Sequence, residues 1–223
     1  MLPERFTYIF IMPLLSTEQL QTDIWWGIWK IEESTELLMN SIYLSSSERT
    51  EFKKFSNEKR GKEWLGARNI LNILLNQLGF PYYGLDKNSN KKPILRDIPV
   101  HISLAHSYPY AVAMINLKSS CGMDIEKTKP ALIHVSPRFL SDAEQSFIDR
   151  DLEGLCIAWT AKESIYKMYG QIQLSFKHDM ILYPYKVKEK GQITASVRVN
   201  DQNQEHVLFY RKMDDYFICF SYS

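Results

Sequence analysis

An α+β fold with two lobes is predicted by three observations: an apolar helical stripe that stops at Gly79, a second helix that stops at Gly170, and short β-prone runs after each stop. Each lobe is expected to be a small, mostly antiparallel sheet packed with helices. The 223 residues, 45% of them hydrophobic and 24% charged, suffice for a sizeable core. No low-complexity stretch or long linker divides the chain. One compact body is therefore expected, with an N-terminal lobe over residues 1–117 and a C-terminal lobe over 118–223.

The elements follow in order. Residues 6–15 are apolar and predict a buried strand. Glu4 ahead of the run, Pro13 within it and no small-residue cleavage site after it argue against a signal peptide. The run is also shorter than the roughly 20 residues of a membrane span. Residues 45–78 read as mostly helical, with Ser47 as the cap and Trp64, Leu65, Ile70, Leu71, Leu74, Leu75 and Leu78 as the apolar stripe. A polar turn over 86–92 leads to strands at 100–103 and 110–117, then a turn into a strand at 122–126. Helices are expected at 141–148 and 155–169. Runs at 181–187, 194–199, 207–211 and 216–221 alternate as an antiparallel sheet does.

Composition excludes several functions. Lys and Arg total 27 against 26 Asp and Glu, so no global basic field draws nucleic acid. Three cysteines, Cys121, Cys156 and Cys219, lack CxxC or metal-ligand spacing with histidine. They read as reduced core thiols of a cytoplasmic protein without a zinc site or a membrane anchor.

Chemistry concentrates in two stretches, Gly122-Met123-Asp124-Ile125-Glu126 and Trp159-Thr160-Ala161-Lys162-Glu163-Ser164-Ile165-Tyr166-Lys167. On a strand, Asp124 and Glu126 share a face; on a helix, Glu163 and Lys167 lie one turn apart. Three acids and a lysine suit a hard cation that neutralises a phosphate ester. Each piece alone has a plainer reading: solvent-facing acids, an exposed i,i+4 ion pair, a turn histidine at His106, an ordinary loop at Lys92-Pro93, and solvated helix charges at Arg60 and Arg68. Their joint order changes that balance.

That order resembles the 4′-phosphopantetheinyl transferase superfamily, in its monomeric surfactin-synthetase-activating type. The family's G-x-D-x-E strand is matched by Gly122, Asp124 and Glu126. Its W-[ST]-x-K-E-[SA]-x-x-K helix is matched at every fixed position by Trp159, Thr160, Lys162, Glu163, Ser164 and Lys167, starting 35 residues after Asp124. Lys92-Pro93 is similar to the family's G-K-P turn, with Lys91 in place of glycine. The run from Ile102 to Ser107 is similar to its [FI]-[NS]-[IL]-S-H-S segment, with Ala105 in place of a serine. Phe139-Leu140-Ser141-Asp142-Ala143-Glu144 resembles an F-[FL]-S-x-x-E element, and Arg60-x-x-Glu63-Trp64-Leu65-x-x-Arg68 a helix of one branch.

The resemblance implies two pseudo-symmetric lobes with coenzyme A in the cleft between them. It implies transfer of the 4′-phosphopantetheine arm to a serine of an apo acyl, peptidyl or aryl carrier protein, with release of adenosine 3′,5′-bisphosphate. Asp124, Glu126 and Glu163 are then the expected ligands of Mg²⁺, with Mn²⁺ as the alternative. Glu163 is also the candidate base, Lys167 a phosphate contact and Glu144 an auxiliary base or ligand. Lys92, Pro93, His106, Ser107, Arg60 and Arg68 are expected around coenzyme A. Lys127, Lys129 and Arg138 are expected to steer the acidic carrier helix, with Phe139 and Leu140 as apolar contacts, except that the core is expected to take at least one of the two. A monomer is expected. The rival readings are a magnesium-dependent phosphoester hydrolase and a non-catalytic module that binds coenzyme A or a carrier.

Overall fold

A computed structural model describes residues 14–170 and 173–223. Most of the apolar run at 6–15 lies outside the described residues.

Two antiparallel sheets carry the architecture. In the first half, β1 (Leu14–Gln21), β2 (Ile24–Lys30), β6 (Tyr110–Asn116) and β5 (His101–Ser107) stand in that order. In the second half the order is β7 (Cys121–Lys127), β11 (Tyr216–Tyr222), β10 (Gln202–Met213), β9 (Lys190–Val199) and β8 (Met180–Leu182). A small hairpin, β3 (Leu85–Lys87) with β4 (Pro93–Leu95), frames the predicted polar turn.

Alternation along the strands explains how the sheets meet. Val112 and Met114 of β6 turn toward Met123 and Ile125 of β7 and Ile218 and Phe220 of β11, closing an apolar layer between the sheets. Ala111, Ala113 and Ile115 face the other way, onto the helix α3 (Glu58–Gln77), through Leu65, Ile70 and Leu74. The helix α6 (Leu152–Tyr169) covers the outer face of the second sheet through Leu155, Ile157, Ala161 and Ile165. β6 is thus buried on both faces, as its apolar run from Tyr110 to Ile115 requires.

Local chemistry moves several boundaries. The helical stretch at 45–78 is two helices, because the chain breaks between α2 (Ser46–Phe52) and α3. Ser45, not Ser47, is the cap: it closes a capping box with Glu48, and such a box needs its acid three residues on. The short helices α1 (Thr35–Asn40) and α4 (Ala131–Phe139) carry too few periodic positions to stand out in sequence. The helix α5 (Asp142–Ile148) has Ser141 as its cap with Glu144 completing the box, and α6 starts at Leu152 behind Asp151. The strand expected at 181–187 holds ladder pairing only as β8. Cys121, Cys156 and Cys219 are buried free thiols. Among the described residues no helix is long and apolar enough to cross a membrane.

Candidate active site

One glycine brings the two motifs together. A Cβ on Gly122 would lie 1.8 Å from the Ser164 carbonyl oxygen and 2.6 Å from the Met168 nitrogen, both backbone atoms of α6. No side chain fits there, so β7 and α6 approach at backbone contact distance. Residues 122, 124 and 126 share that face, and Glu163 and Lys167 flank Ser164 on the helix.

The carboxylates are close enough to perturb one another. Asp124 is buried, and Lys167 Nζ donates to its Oδ1 at 2.6 Å. Lys167 therefore pairs across elements to Asp124 rather than along the helix to Glu163. Burial raises the Asp124 carboxyl above its ordinary range even so. Burial and then the Asp124 charge raise Glu126. Glu163 is pushed up to about 7, first by burial and then by Asp124, with Glu126 adding and Lys167 opposing.

Asp124 Oδ2 is buried without a hydrogen-bond partner among the described residues. A buried carboxylate oxygen that no protein donor meets, beside two further acids, fits a hard cation with oxygen ligands. Among the described residues no three His, Cys, Asp or Glu side chains are already gathered into a cation-binding group.

Beside these acids a groove of about 170 Å³ is lined by Lys92, Pro93, Ile102, Ser103, Tyr166 and Lys167, so both halves of the chain supply it. Lys92 Nζ donates to the Met168 carbonyl at 3.2 Å and to that of Cys121 at 3.4 Å, at the C-terminal end of α6. Burial lowers its affinity for a proton. Gly170 ends that helix at φ 77°, the left-handed conformation glycine adopts without strain.

His106 stands on β5 rather than in a turn, with Nδ1 3.6 Å from Glu63 Oε2 on α3. Burial lowers its proton affinity, Glu63 opposes that, and the charges of Lys167, Asp124 and Arg60 also reach it. Arg60 is exposed in the first turn of α3. Ser107 follows on the opposite face of β5 by strand alternation, and Ala105 is buried in the layer between the sheets.

Three expected site residues lie elsewhere. Arg68 is buried in a first-half network: its Nε donates to Glu48 Oε1 at 2.9 Å, and its guanidinium stacks on Trp64. Tyr82 also donates to that Glu48 oxygen at 2.6 Å. Arg68 is thus a core cation committed to a carboxylate, not a ligand contact. Glu144 is fully buried, with its oxygens taken by Lys162 Nζ and by the backbone N–H groups of Ser141 and Leu182. It has no lone pair to offer a cation at Asp124 or a proton on a substrate. Leu140, fully buried, belongs to the core rather than to a docking surface.

A second groove, of about 610 Å³, borders Glu126 on its other side. Leu132, Val135, Phe139, Trp159 and Phe176 form its walls, with Lys129 and Arg138 also lining it. Trp159 packs edge-on to Phe139 at 5.1 Å and tilted to Phe176 at 5.6 Å. Trp159 and Tyr166, apolar helix positions in the sequence, are half-buried walls of the two grooves, whereas Ile165 alone of that trio is fully buried. Lys162 is the residue that sequence reasoning left without a task. Fully buried, its Nζ donates to Phe139 O and Phe176 O at 2.8 Å each and pairs with Glu144 at 2.7 Å. Its partners come from the 139–144 segment and Phe176, so no local pattern marks it as buried.

These features define an α+β protein whose acids and lysine meet where a strand touches a helix. The family model described as the 4′-phosphopantetheinyl transferase superfamily matches residues 120–220, which contain all of those groups. Similar proteins include 4′-phosphopantetheinyl transferase Sfp of Bacillus subtilis (strain 168), 26% identical over 180 residues that span 74% of this chain and 75% of that one. 4′-Phosphopantetheinyl transferase psf-1 of Bacillus pumilus is 26% identical over 178 residues, 73% of this chain and 74% of its own. Residues 120–220 thus match the 4′-phosphopantetheinyl transferase superfamily, and about three-quarters of the chain is similar to transferases of that kind.

Proposed function

We propose that the chain moves the 4′-phosphopantetheine arm of coenzyme A to a serine hydroxyl of an apo acyl or peptidyl carrier protein and releases adenosine 3′,5′-bisphosphate. The observation that carries this reading is the meeting of Asp124, Glu126, Glu163 and Lys167, with Asp124 Oδ2 left bare. Coenzyme A is read into the groove between the halves, with Lys92, Pro93 and His106 toward its adenosine end. Asp124, Glu126 and Glu163 would hold Mg²⁺, or Mn²⁺, which when bound supplies charge neutralisation on the pyrophosphate.

The remaining work falls to side chains. The serine oxygen forms its new bond to the phosphorus that bears pantetheine, and the bond from that phosphorus to the bridging oxygen breaks. Glu163 takes the hydroxyl proton, directly or through a water. In the metal-free site burial and the Asp124 charge raise its proton affinity; a bound cation would oppose that and favour the ionised form a base requires. Lys167 sets a point positive charge beside the phosphates.

The groove beyond Glu126 is our candidate carrier surface. Its aromatic walls offer apolar contact, and Lys129 and Arg138 complement an acidic helix. Lys127, 5.7 Å over the Tyr216 ring, stands at the end of the same strand. Reversing Lys129 and Arg138 to glutamate is expected to raise KM for carrier several-fold, more at low salt than at high, and to leave KM for coenzyme A unchanged. Equal changes in both would remove this docking surface.

We further read the chain as a monomeric cytoplasmic protein with lobes at 1–117 and 118–223. Buried reduced cysteines support the compartment. Separate cores, one of residues 29–115 and one of residues 132–219, support the division.

The test is the intact mass of an apo carrier after incubation with the enzyme, coenzyme A and magnesium. A gain of about 340 Da that EDTA abolishes is expected. Breakdown of coenzyme A without carrier modification would make the chain a hydrolase. Binding without either reaction would make it a non-catalytic module.

A further inference from the structure

Glu63 is a buried carboxylate with no lysine or arginine paired to it among the described residues. Leaving such a charge in a low-dielectric place is costly unless something nearby needs it. Two groups do. Its Oε1 accepts the Tyr108 backbone N–H at 2.8 Å, and its Oε2 lies 3.6 Å from His106 Nδ1. The Tyr108 peptide is also held from its other end, because Tyr216 Oη donates to the Tyr108 carbonyl at 2.7 Å. The stretch that carries His106 is therefore clamped between α3 and β11, and one carboxylate accepts its backbone N–H and faces its ring.

We propose that Glu63 is the positioning residue that makes His106 selective for a phosphate monoester. It holds Nδ1 toward α3, so Nε2, across the ring, is the nitrogen left for a ligand. With the carboxylate on one side and a phosphate on the other, both nitrogens donate and the ring meets the ligand as a cation. Arg60 on α3 and Lys167 on α6 add positive charge to the same place, and Asp124 on β7 opposes them. The inference rests on the reading of coenzyme A as substrate, with its 3′-phosphate at His106.

The test compares equilibrium binding of coenzyme A and desphospho-coenzyme A to the native chain, Glu63→Gln, His106→Ala and the double variant. Glutamine keeps an acceptor for Tyr108 N–H and removes the charge that faces Nδ1. The native chain is expected to prefer coenzyme A. Glu63→Gln should lower that preference about fivefold to tenfold, through coenzyme A alone, with desphospho-coenzyme A bound as before. In the His106→Ala background Glu63→Gln should change the preference no further. Equal weakening of both ligands, or an undiminished effect without His106, would overturn the positioning role and leave the transferase reading intact. A native chain that binds neither ligand would overturn both. Should Glu63→Gln not fold, nitrogen chemical shifts of the unliganded native chain at pH 8 decide: the neutral His106 ring should carry its proton on Nδ1, and a proton on Nε2 would overturn the proposal.

Discussion

On the proposed reading, replacing Glu163 by glutamine is expected to lower carrier modification about a thousandfold, the scale that follows when a positioned proton acceptor and an anionic ligand are lost together. The same substitution stabilises the metal-free fold. Glu163 is pushed up to about 7 from an ordinary 4.5, because burial and the charges of Asp124 and Glu126 disfavour its ionised form. An acid raised in the folded state adds nothing below the unfolded value, where it is protonated in both states. It costs progressively more stability as pH climbs from there through the folded value. Glutamine removes that cost. Thermal melts in EDTA should therefore coincide at pH 4 and separate by pH 8, the variant being higher by on the order of 1–3 kcal/mol. Magnesium should reverse the order at pH 8, since only the native chain presents the third carboxylate and gains stability by binding. Coincident melts at pH 8 in EDTA would mean that Glu163 is not strained by its neighbours, and retained transfer would remove it as the base.

The convergence of Asp124, Glu126, Glu163 and Lys167 was legible because it depends on short-range periodicity and one glycine. Period two on β7 and period 3.6 on α6 set the faces, and Gly122 marks the backbone contact. The stop at Gly170 was legible for the same reason: it is decided within a few residues. What sequence could not deliver depends on tertiary partners. Arg68 reads as a solvated helix charge until Glu48 and Tyr82, from two other segments, close around it. Glu144 reads as a spare acid until Lys162 arrives from the next helix. Both errors share a cause: charged residues suggest ligands or solvent, and nothing local says that a partner has taken the charge inside. Helix α4 and its groove were missed because nine residues with Pro137 inside give a weak periodic signal. Its wall becomes visible only when Trp159 and Phe176 are brought alongside.

Lys162 and Glu144 yield the second large effect, and it separates stability from docking. Lys162→Met leaves the buried Glu144 carboxyl without its cation, and Glu144→Gln leaves the buried Lys162 without its anion. Burial already lowers the lysine's proton affinity against Glu144's support. Breaking a buried pair from one side costs about 3–5 kcal/mol, or a fall in Tm of roughly 10 °C for a chain of this size. The double variant Lys162→Met/Glu144→Gln should be more stable than either single one, because no uncompensated charge remains and the amide oxygen can still accept a backbone N–H from Ser141 or Leu182. Stability recovered in this way does not restore the ammonium that holds the Phe139 and Phe176 carbonyls. Those two residues are walls of the groove beside Glu126, so the double variant should remain folded and still show a raised KM for carrier, with KM for coenzyme A close to native. A double variant with native KM for both substrates would mean that packing of Trp159 against Phe139 and Phe176 is enough to shape that groove. One less stable than both single variants would mean that each charge is satisfied independently of the other.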